Sequence, residues 1–97
     1  MSKLRYTPQV RKYFKKLKEK GLIDAYNKAL DAIESDPYSG ELKTGDLAGL
    51  FCWDVYYGNV NYEIAYRIFE NNGELIVIIL AGTRENFYKE LKRYMKD

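Results

Sequence analysis

The stretch Leu75-Ile76-Val77-Ile78-Ile79-Leu80 decides the fold of this chain, because it forms most of the longest strongly apolar run in the sequence. Its residues are apolar without interruption and rich in Ile and Val, which is typical of a central strand of a sheet. The run is far shorter than the roughly 20 residues that a membrane-spanning helix needs. We therefore predict a central β-strand here and no contact of the chain with a membrane.

Two further strands are predicted before this one. Residues 50–57 alternate between two faces, and residues 61–68 alternate with Glu63 on a polar face, which predicts a strand with one face toward solvent. The pair Gly58-Asn59 and the triplet Asn71-Asn72-Gly73 are turn signals between the strands. The three strands are therefore expected to form an antiparallel meander.

The first half of the chain has helical periodicity instead. Thr7 is a candidate N-cap with Pro8 at the first helical position, and Gly21 is the predicted end of this helix. A second amphipathic helix is predicted over residues 22–35, and the proline after Asp36 ends it. The two helices should form a hairpin with a tight glycine turn.

The remaining segments complete the order of elements. Residues 3–6 predict a short strand, residues 36–49 a loop, and residues 86–95 a final helix after a break at the Gly-Thr pair 82–83. The predicted order is β-α-α-β-β-β-α. This is an α+β fold, with an N-terminal strand and helical hairpin packed on a mainly antiparallel sheet, and a C-terminal helix. The length of 97 residues predicts one domain, spanning residues 1–97.

The composition excludes several kinds of chemistry. The chain has one cysteine and no histidine, so an internal disulfide, a Ser-His triad and a His-liganded metal site are excluded. The acidic residues are dispersed, so no metal site is expected. Cysteine usage and the polar N-terminus, which lacks the apolar segment of a signal peptide, favour a cytoplasmic location.

The net charge of +2 conceals an uneven distribution of charge. The first 21 residues hold eight basic residues and one acid, a net charge of +7, and the rest of the chain carries −5. Such asymmetry favours contact with a polyanion, although a solvated helix face would show the same pattern. The candidates for nucleic-acid contact in this segment are Arg11, Lys12, Lys15, Lys16 and Lys18.

Three stretches carry a resemblance to a known family over essentially the whole chain. They are Arg5-Tyr6-Thr7-Pro8, then Gly45-Asp46-Leu47-Ala48-Gly49-Leu50 with Tyr62-Glu63-Ile64-Ala65-Tyr66-Arg67-Ile68, and finally Ala81-Gly82-Thr83-Arg84 followed by Tyr88. In this order and spacing, the chain resembles the RelE/ParE superfamily of toxins from type II toxin–antitoxin systems.

The resemblance implies a toxin with a cognate antitoxin protein as its partner. RelE-like members cleave mRNA on the ribosome without a metal, ParE-like members inhibit DNA gyrase, and some members are inactive. We expect a metal-independent, ribosome-dependent mRNA endonuclease that needs no cofactor. A non-enzymatic gyrase inhibitor and an inactive, antitoxin-binding member remain open.

The resemblance also suggests catalytic residues near the C-terminus. Arg84 stands at the position of the arginine that steadies the scissile phosphate in RelE-like nucleases, and a guanidinium suits that task. Tyr88 matches the family's C-terminal tyrosine, which contacts the substrate nucleotide or moves a proton. A surface ion pair of Arg84 with Glu85, and a packing role for Tyr88, are the structural alternatives.

Two acids depart from the family's pattern. RelE-like nucleases often have arginine at the position of Glu63 and lysine at that of Asp54. Glu63 is a candidate catalytic residue because, on a polar strand face, it could reach a 2′-hydroxyl. Arg67, on the same face, is a candidate for the missing positive charge. Tyr56 lies on the solvent face of the strand predicted over residues 50–57, which makes it a candidate for stacking on a base.

Overall fold

The computed structural model of the chain describes residues 3–70 and 72–96, and it confirms the predicted order of elements with one short strand added. The predicted turn residue Asn71 lies outside the described residues. Asn72 and Gly73 beside it have φ angles of 60° and 113°, the left-handed values that a tight turn requires. The elements are β1 (Lys3–Tyr6), α1 (Pro8–Lys16), α2 (Lys20–Ser35), β2 (Glu41–Leu42), β3 (Phe51–Tyr57), β4 (Val60–Glu70), β5 (Glu74–Thr83) and α3 (Arg84–Lys96).

The strands form one five-stranded sheet in the order β1-β5-β4-β3-β2. β1 runs parallel to β5, and the other neighbours are antiparallel, so the sheet is mainly antiparallel as predicted. The apolar strand β5 lies inside the sheet between β1 and β4, and Ile76 and Ile78 on it are completely buried. The α+β fold class predicted from the sequence is confirmed.

Each face of the sheet is covered by helices. The helical hairpin α1–α2 packs on one face, with Val10 and Ile33 completely buried there. α3 packs on the other face, where Phe87 and Leu91 are buried against Ala65 of β4. The expectation that β4 would have one face in solvent is therefore wrong, because α3 covers the face that carries Glu63 and Ala65.

The turn between α1 and α2 differs from the predicted glycine turn. α1 ends at Lys16, Leu17 has the extended φ and ψ of −68° and 131°, and Gly21 lies inside α2 rather than at a helix end. The glycine leaves room for the Tyr57 ring, whose outer end a methyl group at this position would displace. The predicted N-cap is confirmed, since the Thr7 Oγ1 accepts a hydrogen bond from the backbone N–H of Val10 at 3.2 Å.

The end of β5 also differs from the prediction. The Gly82-Thr83 pair does not break the strand, because β4 is long enough to continue the ladder, with Glu63 opposite Gly82 and Tyr62 opposite Thr83. α3 then begins directly at Arg84. A β-bulge at Ala65/Tyr66 shifts the register of the same ladder, so that Ala65 pairs with Leu80 and Tyr66 with Ile78. β5 therefore places Arg84, at its end, beside the face of the sheet that α3 covers.

The segment between α2 and β3, predicted as a loop, contains the short strand β2 and two single 3₁₀ turns. Its anchor is the completely buried Tyr66, whose hydroxyl donates a hydrogen bond to the carbonyl oxygen of Pro37 at 2.8 Å. Gly40 lies directly against the same hydroxyl. This contact holds the loop that places β2 at the edge of the sheet beside β3. None of the described helices is long and apolar enough to cross a bilayer.

We expect Gly40→Ala to destabilise the protein by about 1–3 kcal/mol, the usual cost of overpacking a core. The added methyl group would overlap the Tyr66 hydroxyl, although the φ of −72° at Gly40 suits any residue. Urea unfolding measures the change. Gly82→Ala is the matched control, because a methyl group there meets no heavy atom within 4 Å. Equal stability of the two variants would contradict this account of Gly40.

Candidate functional site

Glu63 is the centre of the candidate site. It lies on β4 between Asp54 of β3 and Gly82 of β5, and its side chain is only 2% exposed. The prediction that it would lie on a solvated face is wrong, because α3 covers it. In the register of β3 and β4, Asp54 pairs with Glu63, whereas Tyr56 pairs with Asn61.

Two residues of α3, one turn apart, contact the Glu63 carboxyl group. The Tyr88 hydroxyl donates a hydrogen bond to Oε1 at 2.8 Å. The Arg84 Nε lies 3.6 Å from Oε2, with the arginine side chain 60% exposed. Oε2 is buried and accepts no hydrogen bond from the part of the chain that the structure describes. The structure thus brings together Glu63, Arg84 and Tyr88, and Arg84 pairs with Glu63 where an ion pair with Glu85 was the alternative.

Lys43 is the site residue that the sequence reasoning missed. Its Nζ lies 3.0 Å from Glu41 Oε1 and 5.0 Å from the centre of the Tyr88 ring, a cation–π arrangement. The lysine follows the two-residue strand β2 and is fixed there by a backbone hydrogen bond from its N–H to the Leu50 carbonyl oxygen. A strand of two residues has no periodicity to detect, so no sequence signal marked this position.

The electrostatic environment alters the acidity of Glu63. Burial raises the pKa of its carboxyl group above the ordinary value, and the hydrogen bond from Tyr88 opposes that effect. The negative charge of Asp54 raises the pKa further, whereas the positive charges of Arg84 and Lys43 lower it. The net shift is upward, so Glu63 holds a proton more readily than an exposed glutamate does.

The neighbouring groups are shifted as well. Burial, the largest cause, raises the pKa of the Tyr88 hydroxyl to about 12, Lys43 lowers it and the hydrogen bond to Glu63 raises it. Burial alone would lower the pKa of the Lys43 ammonium, but its interactions with Tyr88 and Glu41 outweigh burial and raise it. Lys43 therefore remains positively charged at neutral pH.

Burial also raises the pKa of the Cys52 thiol to about 12, so this cysteine stays protonated and unreactive at neutral pH.

Arg67 lies apart from Glu63, Arg84 and Tyr88. It pairs with Val77 on β5, whereas Glu63 pairs with Gly82, and its guanidinium lies against Gly49 in the loop before β3. The cation that the structure places beside Tyr88 is Lys43.

The predicted RNA-contact residues divide into two groups. All five basic candidates on and after α1 are exposed, as a nucleic-acid contact requires. They belong to the helical hairpin, however, which covers the face of the sheet opposite to Glu63 and α3. Tyr56 is 70% exposed near the β3–β4 turn, so its ring is free to stack on a partner.

The arrangement can bind an anion and move a proton. Two cationic side chains flank a hydrogen-bonded carboxyl–phenol pair, which are the components of general acid–base catalysis with charge stabilisation. Among residues 3–70 and 72–96, no group of three or more acidic or cysteine side chains is placed to hold a metal ion.

We expect the stability of the wild-type protein to fall relative to Glu63→Gln as the pH rises. The folded-state pKa of Glu63 lies above its unfolded value, so its stabilising contribution is complete below the unfolded pKa, about 4.3, and is lost as the pH rises through the folded pKa. Urea unfolding at a series of pH values measures the difference. The exposed Glu85→Gln gives the effect of losing a surface charge. A difference between wild type and Glu63→Gln that does not change with pH would contradict the shift.

Comparisons with known proteins agree with the resemblance seen in the sequence. Residues 4–92 match the model of a family described as ParE-like toxins of type II bacterial toxin–antitoxin systems. Among solved structures, the chain is similar to one in the crystal structure of the toxin–antitoxin complex RelBE2 from Mycobacterium tuberculosis, with 26% sequence identity and a TM-score of 0.63. The similarity covers 84% of this chain and 95% of that one. No match to a curated protein sequence was found. This chain belongs to the ParE-like toxins of type II bacterial toxin–antitoxin systems.

Proposed function

We propose that this toxin is a metal-independent endoribonuclease that cleaves mRNA on the ribosome and so arrests translation. The observation that carries the proposal is the buried Glu63 carboxyl group, which Tyr88 and Arg84 contact from one turn of α3. A purely structural site has little reason to keep a carboxyl group whose pKa burial raises and whose Oε2 accepts no hydrogen bond from residues 3–70 and 72–96.

The proposed reaction is an intramolecular phosphoryl transfer within the RNA, from the 5′-oxygen to the 2′-oxygen. The 2′-hydroxyl attacks the adjacent phosphorus, the bond from phosphorus to the 5′-oxygen breaks, and a 2′,3′-cyclic phosphate and a 5′-hydroxyl result. In this mechanism Tyr88 takes the proton of the 2′-hydroxyl while it passes its own proton to the buried Glu63 carboxylate, and the reverse transfer gives a proton to the leaving 5′-oxygen. A carboxyl group whose pKa is raised above its ordinary value is a stronger base than an exposed one.

The two cations would stabilise the charge of the transition state. Arg84 is mostly exposed and offers a planar guanidinium to the phosphorane oxygens. Lys43 remains charged because its pKa is raised, and its place beside the Tyr88 ring puts the charge next to the proposed proton donor. In this proposal Lys43 takes the part that the sequence assigned to Arg67.

We also propose a cognate antitoxin as the partner that restrains this activity, and the cytoplasm, where ribosomes and mRNA are found, as its location. Support for the antitoxin is the family itself and the similar structure, whose title describes a toxin–antitoxin complex. Exposed apolar side chains near the sheet edge and the β3–β4 turn offer surface for such a partner; they include Leu42, Tyr56 and Val60.

A second candidate function is inhibition of DNA gyrase by binding alone. One observation favours it: Asp54 pairs with Glu63 across β3 and β4, so two acids stand together where an RNA phosphate would approach. If induction of the toxin stops DNA replication before translation, gyrase inhibition replaces the nuclease proposal. Absence of growth arrest would instead indicate an inactive member of the family.

Arg84→Ala should abolish growth arrest and reduce mRNA cleavage by about 10²–10³-fold, the cost of removing one transition-state donor. The measurements are growth after induction and mapping of mRNA ends in a reconstituted translation system. Circular dichroism and urea unfolding check that the variant is still folded, since loss of the cation nearest the buried Glu63 is expected to lower its stability. Arg5→Ala, an exposed arginine on β1, is the matched control. Full toxicity of Arg84→Ala would overturn the proposed mechanism.

Lys43→Gln should lower the rate constant for cleavage by about tenfold or more, because the charge beside Tyr88 is lost. Lys28→Gln removes the same charge from an exposed position on α2 and should retain the wild-type rate. Single-turnover cleavage with the toxin in excess separates the chemical step from binding. Identical rates for the two variants would remove Lys43 from the mechanism.

A further inference from the structure

A second cationic surface lies on the same face of the sheet as the candidate site. A groove of about 570 Å³ runs between α3 and the turn at Gly45–Leu47. It is lined by Lys89, Lys92, Arg93 and Met95 of α3, and by Asp46 of the turn. The three basic residues are exposed.

We propose that this groove binds the backbone of single-stranded RNA and leads it to the candidate site. The proposal rests on the proposed nuclease function, and it assigns RNA contact to α3 where the sequence pointed to α1. The occupant follows from charge, since three cations and one acid line the groove and each cation can neutralise a phosphate.

The geometry of α3 makes the groove continuous with the site. Phe87 and Leu91 are buried, and this fixes the rotation of the helix about its axis. Residues three and four apart are neighbours on a helix surface, so Lys92 lies one turn beyond Tyr88 and beside Lys89. Tyr88 contacts Glu63 at one end of this flank, and the cations follow from there along the helix.

The loop on the other side of the groove is also part of the site. Asp46 of the groove comes three residues after Lys43, whose ammonium lies over the Tyr88 ring. The same two chain segments, α3 and the loop after β2, thus form both the site and the groove. The basic residues of α1 lack this continuity, because the sheet separates them from Glu63.

The test compares two triple variants that each remove three positive charges. One is Lys89→Gln/Lys92→Gln/Arg93→Gln on α3, and the matched control is Lys12→Gln/Lys15→Gln/Lys16→Gln on α1. The probe is a fluorescent, fully 2′-O-methylated oligoribonucleotide, which cannot be cleaved because its nucleophile is blocked. Affinity is measured for the full-length toxin at several salt concentrations.

We expect the α3 variant to bind at least tenfold more weakly at low salt. Its slope of log affinity against log salt should fall by about 2, since each lost phosphate contact on a single strand contributes about 0.7. The α1 variant should retain most of the wild-type slope. Unchanged binding by the α3 variant, an equal loss in both variants, or absence of binding by the wild type would overturn the proposal. So would loss of antitoxin binding alone, which would identify the groove as a protein interface.

Failure of the groove proposal and failure of the nuclease proposal give different results. Cleavage that is lost in Arg84→Ala while the α3 variant binds the probe normally would refute the groove and keep the nuclease. A toxin whose Arg84→Ala variant remains fully active would refute the nuclease mechanism whatever the probe shows.

Discussion

The middle position of β4 in the sheet is the constraint on which the rest of the structure depends. β3 and β5 pair with it on either side, the helical hairpin covers one face and α3 covers the other. A strand in this position normally carries only apolar residues, because an uncompensated buried charge is costly. Glu63 is the charged side chain of β4 that is buried, and α3 supplies its hydrogen bond and its nearest cation from a single turn. The docking of α3 and the ionisation of Glu63 are therefore coupled.

In the proposed nuclease, this coupling would supply a base without histidine. An exposed glutamate is a weak base at neutral pH, but burial and the paired Asp54 shift the pKa of Glu63 upward. The negative charge of Asp54 would repel an RNA phosphate and so disfavours nuclease activity. Its position in the register gives it a second effect, which is to make the neighbouring carboxyl group a better base. Asp54 therefore has two opposite effects on the proposed nuclease: it raises the pKa of Glu63, and its negative charge repels an RNA phosphate. The number of cations that the site presents to a phosphate decides which effect is larger.

Most of the fold could be predicted from the sequence, because strand and helix periodicities are local properties of the chain. The uninterrupted apolar run identified the interior strand β5, and Thr7 marked the start of α1. The errors came from packing between distant segments. Gly21 has the local signature of a helix end, whereas in the fold its lack of a side chain accommodates the Tyr57 ring. The polar residues of β4 suggested a solvated face, since nothing local shows that Phe87 and Leu91 cover it.

The candidate site divides in the same way. Arg84 and Tyr88 could be found because the resemblance to the RelE/ParE superfamily marks both positions, and the structure places both on Glu63. Lys43 could not be found, because its position depends on a two-residue strand and on the loop that Tyr66 holds through Pro37. The helix α3 holds Arg84 and Tyr88 in fixed positions, whereas the loop after β2 can change in sequence and length. Sequence changes in that loop can therefore alter the charge beside Tyr88 without disturbing the sheet, which gives a physical reason why one fold can serve toxins with different targets.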